Sequence, residues 1–501
     1  MKKTRKSKNK PLNINDITII DDSKLKKAIT AAALGNAMEW FDFGVYGFLA
    51  YVLGQVFFPD ASPSVQMVAA LATFSVPFLV RPLGGLVFGI LGDKFGRQKV
   101  LSITIIIMSL STFCIGLIPS YASIGIAAPI LLLLAKFAQG FSIGGEYSGA
   151  AIFVAEYSPD RKRGFMGSWL DFGSIAGFLV GAGLVVLLSS ILGKVAFHEW
   201  GWRIPFLFAL PLGLIGFYLR HALDETPAFQ QHTDLMDQNV RDHITNQPKM
   251  TFKQIFIKYW KSLLVCVGLV IVTNVTYYML LTYMPSYLSH NLNYDTDHGV
   301  LIIIAIMIGM LFVQPLIGFI SDKIGRRPFI IGGSFGLLIL AYPSFVMINS
   351  DIIGLIFLGL LILAVLLNCF TGVMASILPA IFPTSIRYSA LAISFNISVL
   401  VAGATPTVAA WLVEESHNLY MPAYYLMVVA LVGLLTGIKM KETANRPLRG
   451  ATPAASDRSE AKEILSDHFD SIEQRVEDIE QQIETLQQQR QNLVDQHPKL
   501  D

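Results

Sequence analysis

Two stretches decide the reading of this chain: Gly89-Ile-Leu-Gly-Asp93-Lys94-Phe-Gly96-Arg97 and Gly318-Phe-Ile-Ser-Asp322-Lys323-Ile-Gly325-Arg326-Arg327. Both read G-x-x-x-D-K-x-G-R, and each follows one long apolar run and precedes another. Glycine permits a tight turn between two such runs. The Asp is an acceptor, and the Arg is a forked donor able to pair with it or with a helix C-terminus. A clasp of this kind forms in one arrangement of two domains and breaks in another. Gly89, Asp93, Gly96 and Arg97, with Gly318, Asp322, Gly325 and Arg326, are therefore candidate gating-loop residues. A weaker pair of marks, Glu156-Tyr-Ser-Pro159-Asp-Arg161-Lys-Arg163-Gly164 and Phe382-Pro383-Thr-Ser-Ile-Arg387, follows later runs in the same order. Marks repeated at matching places predict an internal duplication.

The runs between these marks are membrane-spanning by length and content. The chain has 501 residues, of which 53% are hydrophobic and 15% charged, with a mean hydropathy of +0.54. Soluble proteins carry about 25% charged residues, so a soluble enzyme is excluded. Twelve apolar stretches, the first near 30–53 and the last near 421–438, approach the roughly 18 or more residues that a bilayer requires. Loops rich in Lys and Arg alternate with loops that lack them; Lys194 and Arg203 depart from the pattern. By the positive-inside rule the basic loops, and hence both termini, are expected in the cytoplasm. The basic start before Ile29 reads as the lead-in to a retained span, because Glu39 and Asp42 interrupt the apolar run that follows. Cys114, Cys266 and Cys369 lie in separate apolar runs without metal-site spacing, and read as small packing residues.

Expected boundaries follow. A basic N-terminus covers 1–29, a first six-helix bundle 30–220, a central loop 221–261, a second bundle 262–438, a turn-rich linker 439–463 and a coiled coil 464–501. The fold class is all-α integral membrane, with twelve transmembrane helices in two six-helix bundles and a C-terminal coiled-coil tail.

Ionisable residues inside spans are costly and become functional candidates. Glu39, Asp42, Arg81, Lys136, Glu146 and Asp171 all fall in the first half, while candidate span interiors of the second half carry none. Glu39 and Asp42 share a helix face. Four carboxylates against two cations in a low dielectric cannot all ionise, so at least one should hold a proton. Glu39, Asp42, Glu146 and Asp171 are the proton-coupling candidates. Glu146 and Asp171 sit nearer the cytoplasmic edge, where a pair with Arg81 is equally natural. Gly173, Gly177 and Gly181, spaced every fourth residue, mark a helix-packing ridge.

Twelve spans in two halves with these loops resemble the major facilitator superfamily. Asn36-Ala-Met-Glu-Trp-Phe-Asp-Phe-Gly-Val-Tyr46, Trp200-Gly-Trp-Arg-Ile-Pro-Phe206 and Glu225-Thr-Pro-Ala-Phe229 are similar to its metabolite:proton symporter branch. The similarity to osmoregulatory members covers essentially the whole chain, tail included. The resemblance implies alternating access, proton-driven import of zwitterionic compatible solutes such as proline and glycine betaine across the bacterial inner membrane, and activation by high osmolality. It also implies a cavity built from the first and fourth helices of each half, so that Lys136 and Gln139 face Glu39 and Asp42. A proton symporter for a carboxylate metabolite, such as 2-oxoglutarate or shikimate, is the alternative.

A zwitterion presents a cation suited to aromatic faces and a carboxylate suited to a cation or to hydrogen-bond donors. The substrate-binding candidates are Trp40, Tyr46, Arg81, Lys136, Gln139, Trp169, Asn274, Tyr277, Tyr278 and Asn368. No catalytic triad, phosphate loop or metal constellation appears, so no enzymatic chemistry, metal, cofactor or nucleic-acid partner is expected. In the tail, Leu465, Ile472, Ile479, Leu486 and Leu493 fit heptad position d, and Phe469, Val476, Ile483 and Arg490 fit position a. The pattern predicts a coiled coil, read as a homodimer contact.

Overall fold

The computed structural model describes residues 13–60, 63–95, 97–221, 252–292, 296–384 and 386–467, together with 483 and 486–489. It divides into two compact units, Ser23–Ala451 and a smaller one formed by Met1–Asp22 with Thr452–Asp501.

The large unit is helical. Its helices are α1 (Asp22–Phe57), α2 (Pro63–Phe95), α3 (Arg97–Leu117), α4 (Ala127–Tyr157), α5 (Asp160–Gly193) and α6 (Phe197–Tyr218) in the first half. The second half has α7 (Phe256–Ser289), α8 (Thr296–Ile324), α9 (Arg327–Ile348), α10 (Ile353–Ile381), α11 (Arg387–Ser416) and α12 (Met421–Lys439). Among the described residues nine helices are long and apolar enough to cross a membrane, and Ala72–Phe88 and Ser102–Leu117 are shorter apolar stretches on α2 and α3. Every one of the twelve stretches read as a span lies on a helix. Helices dominate because a bilayer offers no partner for a free N–H or C=O. Pro77, Pro82, Pro315, Pro343 and Pro379 sit inside helices, where neighbouring helices shelter the freed carbonyls.

Two of the helix pairs along which the halves meet are α5 with α8 and α2 with α11. The duplication makes α2 equivalent to α8 and α5 to α11, so each contact is the counterpart of the other. α5 also lies along α10. Within the first half, the Gly173–Gly177–Gly181 ridge presses on the backbone of α1 at Ala33, Ala37 and Phe41, at separations that admit no Cβ. Asn36 locks the same contact, donating to the carbonyl of Leu170 at 2.8 Å and to Ser174 at 2.5 Å. α4 breaks at Gly144-Gly145, where a Cβ on Gly144 would strike the backbone of Arg81 and Gly85 on α2.

The small unit holds a two-stranded parallel pair, β1 (Thr18–Ile19) with β2 (Ala454–Ala455). Parts of the stretches read from sequence as a basic lead-in and a spacer are thus paired as strands. Two-residue strands show no periodicity from which to expect them.

Candidate transport site

At mid-depth in the first half the buried charges sort into two groups. Glu39 and Arg81 form a salt bridge, both near the middle of their helices and almost wholly buried. The Arg81 guanidinium also lies 5.4 Å from the ring centre of Phe78 and 5.9 Å from that of Phe43. Asp42, almost a turn further along α1, is buried with neither carboxylate oxygen hydrogen-bonded among the described residues, and it lines a small cavity with Ser109 and Thr112. Lys136 donates to Gln139 Oε1 at 2.9 Å and stands 4.0 Å from the ring centre of Tyr46, and Gln139 donates to Thr112 Oγ1 at 3.1 Å. Glu39 thus pairs with Arg81 of α2, while the Lys136–Gln139 hydrogen bond of α4 is tied to Thr112, which lines the same cavity as Asp42.

Arg81 goes to Glu39, and Asp171 instead accepts hydrogen bonds from the Tyr147 hydroxyl, 3.1 Å from each carboxylate oxygen. The depth of Arg81 along α2 explains the choice, since it matches that of Glu39 on α1. Glu146 is fully buried at the start of the second segment of α4.

Between the halves lies an aromatic cluster. Trp40 of α1 is 4.4 Å from Tyr277 and 6.0 Å from Tyr278 of α7, ring centre to ring centre. Phe43, Phe74 and Phe78 close one side, with Phe78 5.4 Å from Tyr278, and Phe178 stands beside Tyr277. Trp40 Nε1 and the Tyr277 hydroxyl are buried with no hydrogen-bond partner among the described residues. From Tyr278 of the cluster onward α7 widens into π-helical turns over Tyr278–Tyr283, a distortion common at functional sites.

The remaining binding candidates lie elsewhere. Trp169 packs on Phe165 and Phe172, Asn274 donates to the Val270 carbonyl of its own helix at 3.0 Å, and Asn368 donates to Met310 O at 3.1 Å between α10 and α8. Asn274 and Asn368 spend their amides on helix structure.

At the basic end the halves are clasped. Asp322 accepts from the backbone N–H of Gly164 at 2.7 Å and of Phe165 at 2.8 Å, and pairs with Arg326 at 3.3 Å. These amides belong to the first turn of the main run of α5, so a carboxylate from the second half caps a helix of the first. The backbones touch here: a Cβ on Gly164 would lie 2.6 Å from Asp322 Oδ1 and 2.8 Å from Gly318 O. Gly318 meets Ser168 in return, and Gly325 adopts φ +97° at the turn into α9. Burial, with Arg163 nearby, pushes the Arg326 guanidinium down to about 10, which leaves it charged at neutral pH. In the first copy of the motif, Gly96 and the side chains of Asp93 and Arg97 lie outside the described residues.

Sequence reasoning missed several residues at this end. Glu156 pairs with Arg387 at 2.8 Å across the halves, Arg163 pairs with Asp160, and Asn396 and Tyr388 donate to the carbonyls of Gly144 and Gly145. Their signal was present in the weaker repeated marks, which contain Glu156, Arg163 and Arg387.

A segment after α12 straps this end. Glu442 accepts from the N–H groups of Arg326, Arg327, Thr443 and Ala444. Burial alone would raise its carboxyl, but these amides together hold it below the ordinary carboxylate range. Arg326 donates to Thr443 O at 3.1 Å, Arg163 to Arg446 O at 3.0 Å and Arg387 to Arg449 O at 3.0 Å.

Two duplicated bundles, a buried ion pair at mid-depth and a clasp between the halves at one end define a transporter of the major facilitator type. The chain belongs to the sugar (and other) transporter family, which it matches over residues 28–454, and its residues 456–501 match the osmosensory transporter coiled coil. It is 73% identical over 497 residues to the proline/betaine transporter of Escherichia coli (strain K12), covering 99% of each chain. It is also 73% identical over 499 residues to the glycine betaine/proline/ectoine/pipecolic acid transporter OusA of Dickeya dadantii (strain 3937), covering 100% of each. A structure of the proton:xylose symporter XylE has the same fold, with a TM-score of 0.70 at 20% identity, over 85% of this chain and 98% of that one.

Proposed function

We propose that this chain is a proton-coupled importer of zwitterionic compatible solutes, proline and glycine betaine, in a bacterial inner membrane, with both termini cytoplasmic and activity raised by high osmolality. The observation that carries the reading is the Trp40–Tyr277–Tyr278 cluster between the halves, beside the Glu39–Arg81 pair. Aromatic faces attract a quaternary or secondary ammonium by about 0.5–2 kcal/mol per ring. Trp40 Nε1 and the Tyr277 hydroxyl are unused donors there for the substrate carboxylate. Two proline/betaine transporters at 73% identity support the same substrates.

Coupling follows from the ion pair. With Glu39 ionised, Arg81 is satisfied and has little to offer a second carboxylate. A proton on Glu39 releases the guanidinium to the substrate carboxylate, so proton and zwitterion load together. Asp42, buried almost one helical turn on with neither oxygen hydrogen-bonded among the described residues, serves as a second proton carrier, and Lys136 stays on Gln139. Glu146 and Asp171 serve as further proton stations near the clasp. A dicarboxylate carrier is disfavoured, because Arg81 already pairs with an acid of the same half and Lys136 already donates to Gln139.

The clasp of Asp322 with α5, with Gly318, Gly325 and Arg326, acts as the cytoplasmic gate, and Gly89, Asp93, Gly96 and Arg97 act as its duplicated counterpart. The tail pairs as a homodimeric coiled coil through Leu465, Phe469, Ile472, Val476, Ile479, Ile483, Leu486, Arg490 and Leu493. Uptake of labelled proline into proteoliposomes tests the function. Accumulation that follows an imposed proton gradient and is competed by betaine supports it. Accumulation of 2-oxoglutarate in place of proline refutes it.

A further inference from the structure

The N-terminal segment before α1 does not stand alone. Thr18 and Ile19 pair in parallel with Ala454 and Ala455, the Thr18 N–H donates to Pro453 O and the Ile20 N–H to Ala455 O, each at 2.9 Å. The hydroxyls of Thr18 and Thr452 lie 3.1 Å apart. Beneath the strands Ile17 is buried with Ala455 and Ala461, and Ile14, Ile464 and Leu465 pack against that cluster. The helix that carries Ala461, Ile464 and Leu465 starts from a cap made within the tail, in which Asp457 Oδ1 accepts from the N–H groups of Ser459 and Glu460.

Two features make this contact more than a tidy end. Leu465 is the first apolar heptad position of the tail, and this half-buried side chain, which a second tail would bury, packs against a cluster to which Ile17 from the front of the same chain contributes. And β1 ends two residues before α1 begins at Asp22. The helix that bears Glu39 and Asp42 is thus joined through Ile20 and Asp21 to the root of the tail.

We propose that Ile14–Ile20 is an intramolecular partner of the tail root: a clamp that competes with a second copy of the tail for Leu465 and couples tail pairing to α1. The clamp rests on the reading of the tail as a homodimeric, osmotically responsive coiled coil. When the clamp holds, the first heptad is occupied from within. When it opens, Leu465 joins the heptads that follow, and α1 loses its tether. Ile17 is a buried aliphatic side chain, so removing it shifts the competition on the order of tenfold or more.

The test uses the full-length chain in proteoliposomes, with Cys114, Cys266 and Cys369 replaced by Ala. Thr18→Cys with Thr452→Cys replaces two exposed hydroxyls that already touch, and a disulfide closes within the reach their spacing allows. Oxidation is expected to give an intrachain bond, to lower tail-to-tail crosslinking by a bifunctional amine reagent about tenfold, and to raise the osmolality needed for half-maximal uptake. Reduction restores both. Ile17→Asp is expected to do the opposite, with more crosslinking and a lower activating osmolality. Failure of the disulfide to form overturns the clamp. A disulfide that forms yet leaves crosslinking unchanged overturns the competition for Leu465. Changed crosslinking with an unchanged uptake threshold overturns the coupling to α1. Absence of proline uptake in the parent chain refutes the transport reading instead, and leaves the disulfide and crosslinking results to decide the clamp.

Discussion

Replacing Asp322 by Asn removes one negative charge from the clasp between the halves while keeping the side chain's shape. In the structure that carboxylate holds two amides of α5, from Gly164 at 2.7 Å and Phe165 at 2.8 Å, and it balances Arg326 at 3.3 Å. Hydrogen bonds to a charged group contribute about 1.5–3 kcal/mol each. Asn keeps one neutral acceptor, so the net loss is of the order of one such bond, about 1.5–3 kcal/mol. That corresponds to a shift of roughly ten- to a hundredfold toward the state in which this end is open. Ser376 of α10 is the reporter position: it is 1% exposed and lies under Gly167 of α5. A cysteine there, in a chain lacking the native cysteines, should react with a membrane-permeant thiol reagent at least about tenfold faster in Asp322→Asn than in the parent. Equal rates in the two proteins, with both inserted in the membrane, would show that the carboxylate does not hold the halves together.

Four further outcomes are expected. Glu39→Gln should abolish proton-driven accumulation of proline while leaving exchange of internal for external proline intact; normal accumulation removes Glu39 from the proton path. Trp40→Ala should raise KM for glycine betaine by roughly 2- to 30-fold, the value of one cation–π contact, while Trp40→Phe should recover most of it; equal KM values in all three place the substrate elsewhere. Gly164→Ala puts a methyl group 2.6 Å from Asp322 Oδ1, and should speed labelling at Ser376→Cys as Asp322→Asn does; an unchanged rate would mean that the two backbones can part without opening the gate.

Glu442 gives a pH signature. Its folded carboxyl is held below the ordinary value by backbone amides, so its stabilisation is fully present above that ordinary value and is lost as pH falls through the lowered one. Thermal unfolding of purified protein from pH 7 downward should show this loss, and Glu442→Gln should lack that component. Identical pH curves would contradict the capping role.

The spans and the duplication were legible because both are one-dimensional signals, apolar length and repeated loop residues. The acids of the first half were legible for a related reason: Glu39 and Asp42 stand out against an apolar run wherever the helix points. Which cation each acid takes was not, because that depends on how α1, α2 and α4 are rotated about their axes. Arg81 therefore went to Glu39 rather than to Glu146 or Asp171. The clasp was half legible. Asp322 and Arg326 were visible in the motif, but the acceptor's partners are backbone amides of Gly164 and Phe165, which no side-chain pattern announces. The strap from Glu442 to Arg449 looked like a turn-rich spacer because its hydrogen bonds run through carbonyls and one capping carboxylate. Trp169, Asn274 and Asn368 stand in the sequence on the same footing as Trp40 and Tyr277, and only packing shows which of them share one cluster.

The strap has a consequence for how the two ends of the molecule communicate. Its carbonyls receive guanidinium groups from Arg163 of the first half and from Arg326 and Arg387 of the second, so parting the halves breaks bonds on a segment that runs directly into Thr452. Linkage then works in both directions. On the proposed pairing of tails, whatever steadies the tail biases which side of the membrane is open, and a saturating cargo that favours one side must, by the same free energy, alter how readily two tails associate.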